Sequence, residues 1–124
     1  MNIKSSINSI MIIDPDEKNN SILKDIFSRL SIKMNIVTPG FGFLVGLKNQ
    51  QHDCVLINSE LPDNQAIRIL DKIKWEVPNM IVIILLNKPN INKIIEFVRH
   101  GADDFIQKPF TFEDIEKILT YYYY

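Results

Sequence analysis

Only one cysteine, Cys54, occurs among the 124 residues, which excludes an internal disulfide. It lies in an apolar run, so the expectation is a buried thiol in a reducing compartment. A dominant charge is also lacking, since 14 Lys and Arg stand against 15 Asp and Glu for a formal net charge of −1. No broad field therefore favours nucleic acid or an anionic membrane, and direct nucleic-acid binding by this domain is not expected. Nowhere do about 18 uncharged apolar residues follow one another, as a membrane span requires. The opening, MNIKSSINSIMIID, has no sustained apolar stretch ending in a small-residue cleavage site. A cytoplasmic protein is expected. Glycine is scarce, 4 in all, and none forms a phosphate-cradling loop followed by an acidic ribose ligand, so a small-molecule substrate is not expected.

What is present is a hydrophobic fraction of 46%, enough to bury the core of a single domain over residues 1–124. Short apolar runs alternate with segments of helical period, the signature of a parallel sheet covered by helices on both faces. The strand candidates are Ser9 to Ile13, Lys33 to Val37, Asp53 to Ile57, Met80 to Leu86 and Asp104 to Gln107. The first, third and fourth are apolar at successive positions and belong at the centre of the sheet. Helical stripes are formed by Ile22, Leu23, Ile26, Phe27 and Leu30; by Ile67, Leu70 and Ile73; by Ile91, Ile94, Ile95 and Val98; and by Ile115, Ile118, Leu119 and Tyr122. The segment from Pro39 to Leu47 is a weaker helix, because each glycine inside it costs about 1 kcal/mol relative to alanine. Right-handed crossovers then give a doubly wound sheet, with any ligand beyond the carboxyl ends of its strands.

Those carboxyl ends carry the specific motifs. Gly101-Ala102-Asp103-Asp104-Phe105-Ile106-Gln107-Lys108-Pro109-Phe110 resembles the last strand and exit loop of response-regulator receiver domains. Ile12-Ile13-Asp14-Pro15-Asp16-Glu17 and Leu61-Pro62-Asp63 fit the same pattern, with spacing that lines up along nearly the whole chain. The resemblance implies a flavodoxin-like α/β fold, a five-stranded parallel sheet of order 2-1-3-4-5 with five helices. It also implies the chemistry of two-component phosphorelay. An aspartate ending the third strand accepts a phosphoryl group, an acidic pair helps it hold a divalent cation, and a hydroxyl and a lysine meet the phosphoryl oxygens.

Position by position, this chain departs from that pattern. Asn58 stands at the nucleophile position and offers no anionic oxygen. Pro15 replaces one acid of the pair, leaving Asp14. Leu86 falls at the hydroxyl position, and Ala66 replaces a glycine of the following loop, a milder change. Lys108 is retained. Because Asn58, Pro15 and Leu86 remove independent parts of one machine, the expectation is a degenerate phospho-acceptor pocket and a pseudo-receiver that is not an enzyme. Asp14 and Asp16 are the weak metal candidates; with two carboxylates missing, no cofactor is expected and magnesium binding is doubtful. The alternative roles are structural: Asp14 or Asp16 caps the next helix with Glu17 near its positive end, and Lys108 pairs with Asp14 while Asn58 supplies a carbonyl oxygen.

The resulting expectation is a phosphorylation-independent interaction domain that binds a protein partner or its own copy. The resemblance puts the contact face on the fourth helix, fifth strand and fifth helix, here Lys93, Glu96, Arg99, Asp103, Asp104, Glu113, Asp114 and Lys117, a mixed-charge set. Glu116 and Lys117 stand where arginines are frequent in the transcription-factor branch. A second reading makes the domain the N-terminal regulatory and dimerisation part of a DNA-binding transcription regulator. A third is a residual phosphoryl acceptor using Asp16, Asp63 or a displaced carboxylate. His52 and His100 are expected on the surface without catalytic partners, and Phe41, Phe43 and the terminal tyrosines exceed what can all face inward.

Overall fold

A computed structural model describes residues 7–49 and 52–123; Tyr124 and the side chain of Phe41 lie outside the described residues. Alternating strands and helices follow the chain as β1 (Ser9–Ile13), α1 (Glu17–Arg29), β2 (Lys33–Ile36), α2 (Phe41–Asn49), β3 (Cys54–Asn58), α3 (Gln65–Glu76), β4 (Ile81–Leu86), α4 (Ile91–Arg99), β5 (Asp104–Gln107) and α5 (Phe112–Tyr123). The strands form one sheet of order β2-β1-β3-β4-β5, and every pairing is parallel. This is the expected architecture. Boundaries differ by a residue: β2 stops at Ile36, β4 starts at Ile81, and β3 runs to Asn58, which brings that side chain to the strand's carboxyl end.

The successive apolar residues of β1, β3 and β4 are explained by burial on both faces. Ile10, Ile12, Cys54, Leu56, Ile83 and Leu85 join Leu23, Ile26 and Phe27 of α1 and Ile115 and Leu119 of α5. Their neighbours Met11, Ile13, Val55, Ile57, Val82 and Ile84 face the other way, toward Phe43 of α2, Ile69, Leu70 and Ile73 of α3, and Phe97 of α4. Two layers of helix thus enclose one sheet, and among the described residues no helix is long and apolar enough to cross a membrane.

The glycine-rich segment does form α2, and at one of its glycines the helix passes close to the sheet. A Cβ on Gly46 would stand 3.0 Å from Met11 Cε, so glycine lets the helix settle on β1. Gly101 serves differently: its φ of 102° ends α4 in the left-handed region, and its N–H donates to Val98 O at 3.0 Å.

In α4 most of the apolar stripe is turned outward, with Ile94 alone of its four residues packed against the core. Ile91, Ile95 and Val98 are 67%, 41% and 55% exposed, while Phe97 is buried and meets the Phe105 ring edge-on. Ile22 of α1 is likewise exposed. The end of α5 is fastened instead of loose: Tyr122 Oη donates to Asp103 O at 2.8 Å and to Asp104 Oδ2 at 3.1 Å, and Tyr123 Oη to Asp53 O at 2.6 Å. Of the tyrosines described, Tyr121 alone is strongly exposed. His52 corrects the surface expectation, being buried with its Nε2 at 3.1 Å from Asn35 Nδ2; burial holds its pKa below the usual value.

Candidate functional site

Beyond the carboxyl ends of β1, β3 and β5, the chain gathers Asp14, Asp16, Asn58 and Lys108. Asp14 follows the last residue of β1 and is 2% exposed. One of its oxygens, Oδ2, is 2.8 Å from Lys108 Nζ. The other, Oδ1, accepts from Asp16 N–H at 2.9 Å and from Asn58 Nδ2 at 3.0 Å. Its backbone carbonyl accepts from Asn20 Nδ2 at 2.7 Å. A buried carboxylate is thereby matched with a buried ammonium and two N–H donors, which offsets the desolvation of both charges.

The Asn58 amide works differently from expectation. Its carbonyl oxygen does not face Lys108; it accepts the Glu60 N–H at 2.9 Å, and the amide nitrogen turns to Asp14. The turn after β3 accounts for this, since an asparagine side-chain oxygen readily accepts the backbone N–H two residues on. One side chain therefore serves as donor and acceptor at once, which a carboxylate at this position cannot do.

Asp16 is the N-cap of α1, accepting from Lys18 N–H at 3.1 Å and Asn19 N–H at 3.3 Å, with Glu17 in the first turn. The Asn19 N–H, and after it the Lys108 charge, hold its carboxyl below the usual range. Its Oδ2 is 3.7 Å from Lys108 Nζ, so the ammonium sits closer to Asp14. As for a cation, Pro15 and Asn58 contribute no carboxylate, Asp14 has both oxygens engaged, and Asp16 is committed to the cap. This donor set does not fit a magnesium ion, which takes octahedral oxygen coordination. Among the described residues no group of three or more His, Cys, Asp or Glu side chains is placed to hold a metal.

Leu86 ends β4 as a buried apolar residue, packed with the α3 and α4 side of the core. Its backbone carbonyl, at 2.8 Å, accepts the Lys108 N–H. Asp63 stays outside the cluster, on the turn before α3 with φ of 56°.

Sequence reasoning missed three members of the neighbourhood. Asn20 is buried on the stripe of α1, three residues before Leu23, and a polar residue at an apolar period was the available signal. Ser59 is buried with no partner for its Oγ among the described residues. Glu60 Oε2 meets Lys93 Nζ of α4 at 3.1 Å, a link with no local sequence signature.

Several charges assigned to the contact face already have partners. Asp103 Oδ2 accepts from Val82 N–H and Lys74 Nζ, both at 2.8 Å. Asp104 holds the Tyr122 hydroxyl, and Asp114 exchanges hydrogen bonds with Thr111 at the start of α5. Glu96, Arg99, Glu113 and Lys117 are exposed. Beside them a groove of about 590 Å³ runs past Phe105, Pro109, Lys117, Ile118 and Tyr121.

A family model described as "Response regulator receiver domain" matches residues 10–120. The Regulatory protein LuxO of Vibrio vulnificus is 32% identical over 80 residues, covering 64% of this chain and 18% of that protein. The Probable transcriptional regulatory protein TcrX of Mycobacterium tuberculosis is 31% identical over 83 residues, covering 65% and 36%. The chain thus spans well under half the length of these curated relatives. A solved receiver domain protein from Methanospirillum hungatei superposes with a TM-score of 0.83 at 23% identity over 94% of each chain, a likeness of fold.

Proposed function

The chain belongs to the receiver-domain family of response regulators, and from that premise we propose that it is a pseudo-receiver, a signalling and interaction domain that works without phosphorylation. One observation carries the reading: the position of the phosphoryl acceptor holds an asparagine whose amide is hydrogen-bonded on both sides, to Asp14 and to the Glu60 N–H. A phosphoryl group arriving there would meet no carboxylate nucleophile. It would also meet no hydroxyl at Leu86 and no cation held by the spent Asp14. Lys108, which would offset phosphoryl charge, already offsets Asp14.

The output resides in the surface. In the face formed by α4, β5 and α5, α4 exposes an apolar group, Ile91, Ile95 and Val98, beside exposed Glu96 and Arg99. An apolar centre with a charged rim is the usual composition of a protein contact surface. The domain meets a protein partner or a second copy there, in the cytoplasm. The names of the relatives favour a second, compatible reading, in which the domain regulates a longer transcription regulator.

The test is chemical. After incubation with acetyl phosphate and magnesium, the intact mass stays that of the unmodified chain; addition of one phosphoryl group per molecule overturns the proposal. Asn58→Asp alone also remains poorly labelled, because Pro15 still withholds a metal ligand. Efficient labelling of that variant would mean that Pro15 matters little.

A further inference from the structure

We infer that Lys93 is a positioning residue that latches α4 to the former phosphate pocket, so that a hydrogen-bonded chain built from this protein's own residues sets the helix. The proposal rests on the reading of the α4 face as the contact surface. Its starting point is how little else holds that helix. Against Leu23, Ile26 and Phe27 in α1, and Ile69, Leu70 and Ile73 in α3, α4 buries Phe97 fully and Ile94 only in part. A helix with so small a buried area opens locally at low free energy unless polar contacts hold its ends.

Both ends have such contacts. At the carboxyl end His100 Nδ1 is 2.7 Å from Asp71 Oδ1 of α3. At the amino end Lys93 Nζ donates to Ser59 O at 3.3 Å and to Glu60 Oε2 at 3.1 Å. Glu60 is itself fixed by its N–H to Asn58 Oδ1, Asn58 by its amide to Asp14, and Asp14 by its pair with Lys108. From the β5 exit loop to α4 the contacts are continuous. Lys93 is the third residue of α4, where an ammonium is unfavourable to the helix dipole. Its presence there is explained by the two oxygens it reaches.

That dipole argument makes the test sharp. In the whole domain, amide hydrogen exchange is followed at Ile94 to Val98, with Val55 to Ile57 of β3 as reference. If Lys93 acted through the helix alone, Lys93→Met would slow exchange in α4. The latch predicts the opposite: exchange about threefold faster, the scale of a partly exposed ion pair. Glu60→Gln does the same, Lys93→Met with Glu60→Gln adds little to either, and Lys93→Arg stays near wild type. In each the β3 amides are unchanged. Slower or unchanged α4 exchange in Lys93→Met overturns the latch, as does additivity of the two substitutions. Faster α4 exchange with unaltered association in the same variants upholds the latch and removes the α4 face as contact surface. Weakened association with unaltered α4 exchange rejects the latch and leaves the face standing.

Discussion

At the scale of single residues, the decisive group is the Asn58 amide. Asn58→Asp would remove the donor to Asp14 and set a second carboxylate against the first inside a buried cluster. It should lower stability by about 2–4 kcal/mol, measured by urea unfolding at neutral pH. A variant as stable as wild type would mean that Asp14 does not need that donor. Lys108→Met should lower stability by about 3–5 kcal/mol by stranding the Asp14 carboxylate; a negligible change in the same assay would mean that water serves Asp14 instead. The pairing of Asp14 with Lys108 was legible in the sequence because a parallel sheet brings the carboxyl ends of β1 and β5 to the same edge, and the family resemblance puts both residues in one pocket there. The direction of the Asn58 amide was not, since it depends on one backbone N–H two residues on. Cys54 is simpler. Burial pushes its thiol up to about 12, so alkylation near pH 8 should await global unfolding and proceed on that timescale. Rapid labelling of the native protein would contradict this.

At the scale of elements, helix periodicity located α4 but not its orientation. A stripe of Ile91, Ile94, Ile95 and Val98 reads as a core face, yet Phe97 is the residue that enters the core, Ile94 packs at its edge, and Ile91, Ile95 and Val98 face outward. Periodicity records that two sides differ and not which side the sheet occupies. The penalty counted against α2 was real but outweighed, because Gly46 permits contact with Met11 that propensity ignores. His52, just before β3, was read as a surface residue from its polar neighbours and is buried. Its pKa is lowered below 6.5 in the folded state, so the unfolded chain takes up the proton first as pH falls. Stability should therefore decline with acidity below about pH 6.5, and His52→Gln should flatten that decline between roughly pH 7 and pH 5. Equal pH dependence in wild type and variant, by urea midpoint, would assign the effect elsewhere.

For the whole molecule, a parallel sheet between two helical layers was readable from alternation and burial, whereas the strand order was legible only through the family resemblance, since right-handed crossovers also permit other doubly wound orders. The surface was less readable: Asp103 and Asp104, counted as free charges, hold Lys74, Val82 and Tyr122. Ile95→Glu is thus a cleaner probe of association than reversal of Asp104, which would also loosen α5. It should weaken association about tenfold by sedimentation equilibrium or partner titration, with the melting temperature nearly unchanged and beryllium fluoride without effect. Undiminished association would move the contact away from α4. The tyrosines of α5 give the domain a polarity. Tyr122 and Tyr123 grip the residues that enter β5 and β3, whereas Asp14 and Lys108 occupy the exits of β1 and β5. These poles are separated by the length of a strand, roughly 15 Å. A segment joined after α5 would thus leave from the far pole, at the end of a rod pinned at its exit by two hydroxyl groups.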